Sequence, residues 1–416
     1  MSDPTTRTEA PASGITAFVV SMGLSAAGVT ISMLGATAIT ASTNGGAHGA
    51  LWTGAFLILM FVSKAAAVRF VPTWSDRLGP GRMFLLTNVV SVSLWGGAGA
   101  LILLGAPGTV VILAIAPIAG IVNAVFAVET PLLAKAYLSR HSMAAANARV
   151  AVARGVACAI GALVAGALIH ASGPGWALLA RAVLSVPLAI VILRRAAGER
   201  TPAPVAATGD PLEEPDGPSI LEDPAVRRVI LLAILLTAAT APVLVMIVPI
   251  AQSLRQTPLI VGASIMTSAM AAGELLAPFF VHRLERRAER GRDPIRDALL
   301  WTAASLVAFG VASTLLSHRP ELAAWIVVGL AFGGLESASH STVLGALVAA
   351  SGSFDTRRAL AVMKFATNLA APAGIVVWAI LIDQANAQTA ILVAAAVLIV
   401  GTLVIGRPTE HATSPA

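Results

Sequence analysis

Charge is what this chain has least of. Only 12% of its 416 residues are Asp, Glu, Lys or Arg, against roughly 25% in an ordinary soluble domain. That leaves too little polar surface to coat a water-facing globule of this length, which excludes a soluble fold. Cysteine is nearly absent: Cys158 stands alone inside an apolar run, so no intramolecular disulfide can form. Aromatic residues make up 5% of the chain, with a single tyrosine. Lysine occurs only as Lys64, Lys135 and Lys364; the other basic residues are arginine. Enzyme chemistry has no foothold. There is no glycine-rich phosphate loop ending in lysine, no H-E-x-x-H, no C-x-x-C and no nucleophile elbow. The seven histidines show no metal-ligand spacing. No catalytic residues, metal or cofactor are expected, and ATP hydrolysis by this chain is not expected to drive its function.

What the chain has is apolar length. Hydrophobic residues make up 57% and are gathered in blocks. Most blocks are long enough to cross a hydrocarbon core of ~30 Å, which takes about 20 residues of helix. Backbone groups in lipid must pair within their own segment, so the blocks are read as helices. A membrane β-barrel would show ~10-residue stretches of alternating polarity, and none appear. The expected spans are 15–42, 50–70, 83–105, 108–136, 144–170, 175–194, 226–252, 258–282, 295–317, 321–350, 357–383 and 387–406. The fold class is all-α membrane protein, with about twelve transmembrane helices in two pseudo-symmetric six-helix bundles. The first block is too long for a signal-peptide core and lacks a cleavage site.

The connections alternate. One set is short and nearly uncharged: TNGGAHG at 43–49, LGAPG at 104–108, HASGPG at 170–175 and QANAQ at 384–388. The other set carries arginine, including Arg69, Arg77, Arg82, Arg140, Arg149, Arg194, Arg195, Arg200, five arginines between 283 and 292, Arg357, Arg358 and Arg407. Only Arg255 and Arg319 fall in the first set. An even number of spans with both termini cytoplasmic explains the alternation, since basic loops stay on the inner side. The charge of +6 is therefore read as orientation, and no nucleic-acid partner is expected. Residues 196–224, rich in proline and acidic residues, read as a cytoplasmic linker. They divide a bundle at 15–195 from a second at 225–406, with a disordered N-terminus at 1–14 and a tail at 407–416. AIGALVAGALIH (159–170) aligns with APAGIVVWAILID (371–383) at an offset of 213, bringing Gly161 to Gly374 and His170 to Asp383. Two parallel repeats would produce this.

The loop WSDRLGPGR (74–82) resembles the loop signature of the major facilitator superfamily, approximately G-x-L-A-D-R-x-G-R-R. Asp76, Arg77, Gly79 and Arg82 match, Arg82 being displaced by one inserted residue, while Pro72 replaces the leading glycine. The resemblance implies a charge relay between this Asp and neighbouring helix ends that stabilises one of two alternating states. VHRLERRAERGR (281–292) is a degenerate counterpart. TPLLAKAYLSRHSMAAANARV (130–150), with Ala146-Asn147 opening span five, resembles the branch that includes enterobactin exporters and drug effluxers. That branch carries approximately G-P-x-x-G-G in span five. Here the run is Gly161-Ala162-Leu163-Val164-Ala165-Gly166, which lacks the proline. Gly161, Ala162, Ala165 and Gly166 also serve plain helix packing, and both roles stay open.

Ionisable groups at membrane depth are costly and are functional candidates by default. They are Glu129 in span four, Arg154 in span five, Arg181 in span six, Glu274 in span eight, and Glu336 with His340 in span ten. Lys64 and Lys364 lie near the arginine-rich ends of spans two and eleven, where lysine can snorkel to the interface. In the resembled fold spans five and eight face each other, so Arg154 and Glu274 are expected to pair there; the alternative is Arg154 with Glu129. Glu336 and His340 are spaced i, i+4 and share a helix face. In that fold spans one, four, seven and ten line a central cavity. Glu336, helped by His340, is thus the expected proton site and Glu129 the second choice. The expected function is proton-coupled efflux of small hydrophobic or amphipathic molecules by a monomer in the inner membrane. An importer of a metabolite or sugar, and a transport-inactive membrane sensor, remain the alternatives.

Overall fold

A computed structural model describes residues 12–43, 48–137, 143–198, 220–253, 259–315, 322–350 and 356–406. The expected N-terminal segment (up to residue 11), most of the linker (199–219), the C-terminal tail, Arg255 and Arg319 lie outside them. Among the described residues there are helices and turns but no strand.

Fifteen α-helices appear among the described residues. In the first half they are α1 (Ala12–Ala41), α2 (Gly49–Val68), α3 (Val71–Leu78), α4 (Pro80–Leu103), α5 (Gly108–Tyr137), α6 (Met143–Ser172) and α7 (Pro174–Gly198). In the second they are α8 (Pro224–Val245), α9 (Ile247–Ser253), α10 (Leu259–Glu274), α11 (Ala277–Ala288), α12 (Pro294–Leu315), α13 (Leu322–Ala350), α14 (Thr356–Gln384) and α15 (Ala387–Ile405). Ten of them are each long and apolar enough to cross a membrane, and the bent pair α10–α11 makes eleven. The remaining long helix is α13. It is 29 residues long, but the polar run Glu336-Ser337-Ala338-Ser339-His340-Ser341-Thr342 at its centre dilutes its hydropathy.

Two expected spans are broken, and proline explains both breaks. A proline ring inside a helix collides with the carbonyl four residues back and removes a hydrogen bond. Four residues before Pro249 is Val245, where α8 stops; α9 resumes at Ile247. Four residues before Pro278 is Glu274, where α10 stops; the chain bends by 48° and continues as α11. Pro187, Pro242 and Pro372 are absorbed inside continuous helices.

The two halves repeat one packing scheme. In the first, α1 packs on α6 and α7, α4 on α5 and α7, and α2 on α5. In the second, α8 packs on α14 and α15, α12 on α13 and α15, and α10 on α13. The offset of 213 has a structural basis. A Cβ on Gly161 would lie 2.9 Å from Ala27 Cα of α1, and one on Gly374 would lie 2.2 Å from the Ala238 carbonyl oxygen of α8. The aligned glycines let equivalent helices touch backbone to backbone.

The bundles meet along two seams, α2 against α14 and α6 against α10. On the uncharged-loop face the short α9, whose Ile247, Val248, Ile250 and Ala251 are buried, also packs on α1 and α2. There His48 Nδ1 lies 2.6 Å from Asp383 Oδ2, joining the start of α2 to the end of α14. Toward the arginine-rich face, α3 packs on α2, α4 and α5, and α11 on α12 and α13, each within its own bundle.

Candidate functional site

The α6–α10 seam is built from small residues. A Cβ on Gly155 would come 2.9 Å from Leu275 Cδ2, and one on Gly166 would come 2.5 Å from Ser264 Oγ. The two helices therefore run antiparallel in close contact along much of their length. This placement brings Arg154, beside Gly155, into electrostatic contact with Glu274 at the end of α10. Among the described residues the two do not close into a contact ion pair. Glu129, the alternative partner of Arg154, lies elsewhere.

Glu274 is also in electrostatic contact with Glu336 of α13. The α10–α13 crossing that sets this approach is a glycine contact: a Cβ on Gly333 would sit 2.0 Å from the Met270 carbonyl oxygen, and one on Gly273 would sit 2.3 Å from that of Leu330. Glu336 is 7% exposed, and its Oε1 lies 3.0 Å from His340 Nε2. The i, i+4 pairing is formed. One turn away, Ser339 ties α13 to α12 through Thr302 Oγ1 at 2.7 Å and by donating to the Ala298 carbonyl at 3.0 Å.

The site also includes two residues that the snorkelling argument set aside. Lys64 of α2, partly buried, lies within electrostatic reach of the exposed Lys364 of α14 and Arg154 of α6. Its ammonium stands 5.8 Å from the Phe61 ring centroid. Five charged side chains and one histidine, drawn from α2, α6, α10, α13 and α14, thus gather between the bundles. Cys158, one turn beyond Arg154, lies at their edge, with its sulfur 3.9 Å from the Ala26 carbonyl oxygen.

The remaining candidates stand apart. Glu129 is fully buried on α5, beside the Ser75 hydroxyl of α3 and within electrostatic reach of Asp76. Neither of its oxygens makes a hydrogen bond of good geometry among the described residues. Asp76, Arg77 and Arg82 are exposed. Gly79 joins α3 to α4 at φ 81°, a left-handed conformation that favours glycine. The loop signature is thus a short helix and a glycine corner rather than an irregular loop. Gly161 faces α1 and Gly166 faces α10, while Ala162 and Ala165 are fully buried. Arg181 is internal to the first bundle: Nη1 donates to Ser32 Oγ at 3.0 Å and Nη2 to Ser91 Oγ at 3.3 Å, with the guanidinium 4.8 Å from the Trp95 ring centroid. At the arginine-rich end of the second bundle, Arg287 donates to Asp297 at 2.8 Å, and Arg228 bridges Asp293 and the Gly406 carbonyl.

Residues 14–294 match the sequence profile of the Major Facilitator Superfamily. No curated protein matches the sequence. Among solved structures, the fold is similar to the nucleoside transporter NupG, with TM-score 0.70 and 12% identity, covering 94% of this chain and 98% of that one. It is also similar to a bacterial homologue of the human lysosomal transporter Spinster in its inward-facing, unoccupied conformation, with TM-score 0.68 and 13% identity over 94% and 95% of the two chains. A third is an auto-inhibited POT family peptide transporter, with TM-score 0.68 and 13% identity over 97% and 99%.

Proposed function

Because this chain belongs to the major facilitator superfamily, we propose that it is a proton-coupled exporter of small amphipathic organic molecules, working by alternating access. The arginine-bearing loops face the cytoplasm, both termini lie on that side, and the membrane is the inner one. The observation that carries the reading is the Glu336–His340 pair of α13, its carboxylate buried and its imidazole partly exposed, with a second carboxylate, Glu274, within electrostatic reach at the end of α10. A proton bound at Glu336 removes one of two like charges that face each other there. When Glu336 takes up a proton the repulsion ends, and Glu274 is left to the attraction of Arg154 on the opposite bundle. Loss of that proton restores the repulsion and weakens the seam. Proton loading is thereby tied to how firmly α6 holds α10. The discontinuous helices α8–α9 and α10–α11 fit binding sites formed near helix breaks in other transporters. The export direction rests on the resemblance of residues 130–150 and 161–169 to the enterobactin-exporter and drug-efflux branch.

The test uses inside-out vesicles with a panel of fluorescent amphipathic dyes, anionic and cationic, added to the outer medium under an imposed pH gradient. The wild-type protein is expected to concentrate at least one dye when the gradient is applied and to release it when the gradient collapses. Glu336→Gln is expected to keep dye-for-dye exchange and lose gradient-driven accumulation. Accumulation by Glu336→Gln equal to wild type removes that carboxylate from the mechanism.

A further inference from the structure

Among the described residues, the charge between the bundles does not balance. Three cations converge there, Lys64 from α2, Arg154 from α6 and Lys364 from α14. Two carboxylates face them, and of these Glu336 is already engaged by His340 while Glu274 is shared between Arg154 and the repulsion of Glu336. None of the three cations closes an ion pair with a described residue. The convergence follows from the backbone. A Cβ on Gly54 of α2 would lie 3.0 Å from Ala379 Cβ of α14, which pins one seam. Lys64 lies ten residues from Gly54, about 15 Å along the helix, and Lys364 is displaced from Ala379 in the same direction, toward the arginine-rich face. Gly155, adjacent to Arg154, pins the other seam against Leu275. Snorkelling lysines would spread toward water on separate paths. These two stay within each other's field and that of Arg154, from opposite bundles.

We propose that the transported molecule carries an anionic group, a carboxylate, sulfonate or phosphate, held by Lys64, Arg154 and Lys364 across the two bundles. The inference rests on the transporter reading above and names the charge class of its substrate. Unpaired like charges repel one another and a cationic ligand, while an anion relieves the repulsion and ties the bundles together. Phe61 beneath Lys64 offers an apolar surface to the body of such a molecule. Because the cations come from both bundles, an anion seated among them resists their separation, and its departure permits it. Substrate and proton thus act on the same pair of seams, each tightening them when bound and loosening them on leaving.

The test is a binding measurement on the full chain without a pH gradient, in phosphatidylcholine nanodiscs that supply no net negative headgroup. The probes are 1-naphthoate, neutral 1-naphthylmethanol and cationic 1-naphthylmethylammonium, matched in ring and size. 1-Naphthoate is expected to bind about tenfold or more tighter than the ammonium probe, and Lys64→Gln and Lys364→Gln each to weaken it by about tenfold. Lys64→Arg is expected to retain binding, which guards against a merely misfolded Gln variant. The proposal is overturned by no naphthoate binding, by equal or tighter binding of the ammonium, or by unchanged naphthoate affinity in the double Gln variant. It is also overturned if stabilisation appears only when phosphatidylglycerol is added, since the anion is then a lipid headgroup. None of these results depends on proton coupling, so the failure of one reading does not mimic the failure of the other.

Discussion

Arg154 and Glu274 show how much a single residue's position reveals. Each could be placed by counting from the ends of its apolar block, and in the structure they lie within electrostatic reach across the α6–α10 seam without closing an ion pair. Glu336 and His340 were readable from their spacing alone, because i and i+4 share a helix face in any register. Lys64 and Lys364 were not. Each satisfies the snorkelling argument by itself, and their proximity depends on a contact between segments some 300 residues apart. Glu129, the second-choice proton site, lies beside Ser75 of α3, a neighbour that only the fold of the 71–78 segment into a helix brings to it. The residue-scale prediction concerns the cross-bundle pair. Arg154→Glu and Glu274→Arg are each expected to lose gradient-driven dye accumulation, and the two together to recover a measurable part of it. A double variant as dead as the singles rejects the pairing.

Helix boundaries were readable within a few residues, since lipid permits few alternatives to a continuous helix. The exceptions are the breaks at Met246 and at Leu275-Leu276. Pro249 and Pro278 were there to be read, but prolines are absorbed elsewhere in the same chain, so their presence alone does not decide. Glycine sets the contacts between elements. Gly333→Ala pushes a methyl into the Met270 carbonyl at the α10–α13 crossing, an overpacking expected to cost about 1–3 kcal/mol. A lower melting temperature of the purified protein in detergent reads it. Gly345→Ala, on the same helix with open space around it, is the control and is expected to be neutral or slightly stabilising. Equal melting of the two variants contradicts the assigned crossing.

The whole molecule was the most legible scale. Low charge excluded a soluble globule, and the offset of 213 foreshadowed the repeated packing of α1 with α6 and α8 with α14. The state of the molecule was not legible, because nothing in a sequence says which face of a two-state protein is shut. In the structure the bundles are joined at the uncharged-loop face by α9 and by His48 with Asp383, whereas α3 and α11 remain with their own bundles at the arginine-rich face. The central claim is that the two bundles rock about the charged seams between α2 and α14 and between α6 and α10. Spin-label distances measure this directly in a Cys158→Ser background in nanodiscs, with one label pair at Leu104 and Gln384 and another at Arg77 and Arg286. Moving from acidic to alkaline pH is expected to shift the two distance distributions in opposite senses, one face opening as the other closes. Two distributions that stay fixed, or that widen together, contradict alternating access in this chain.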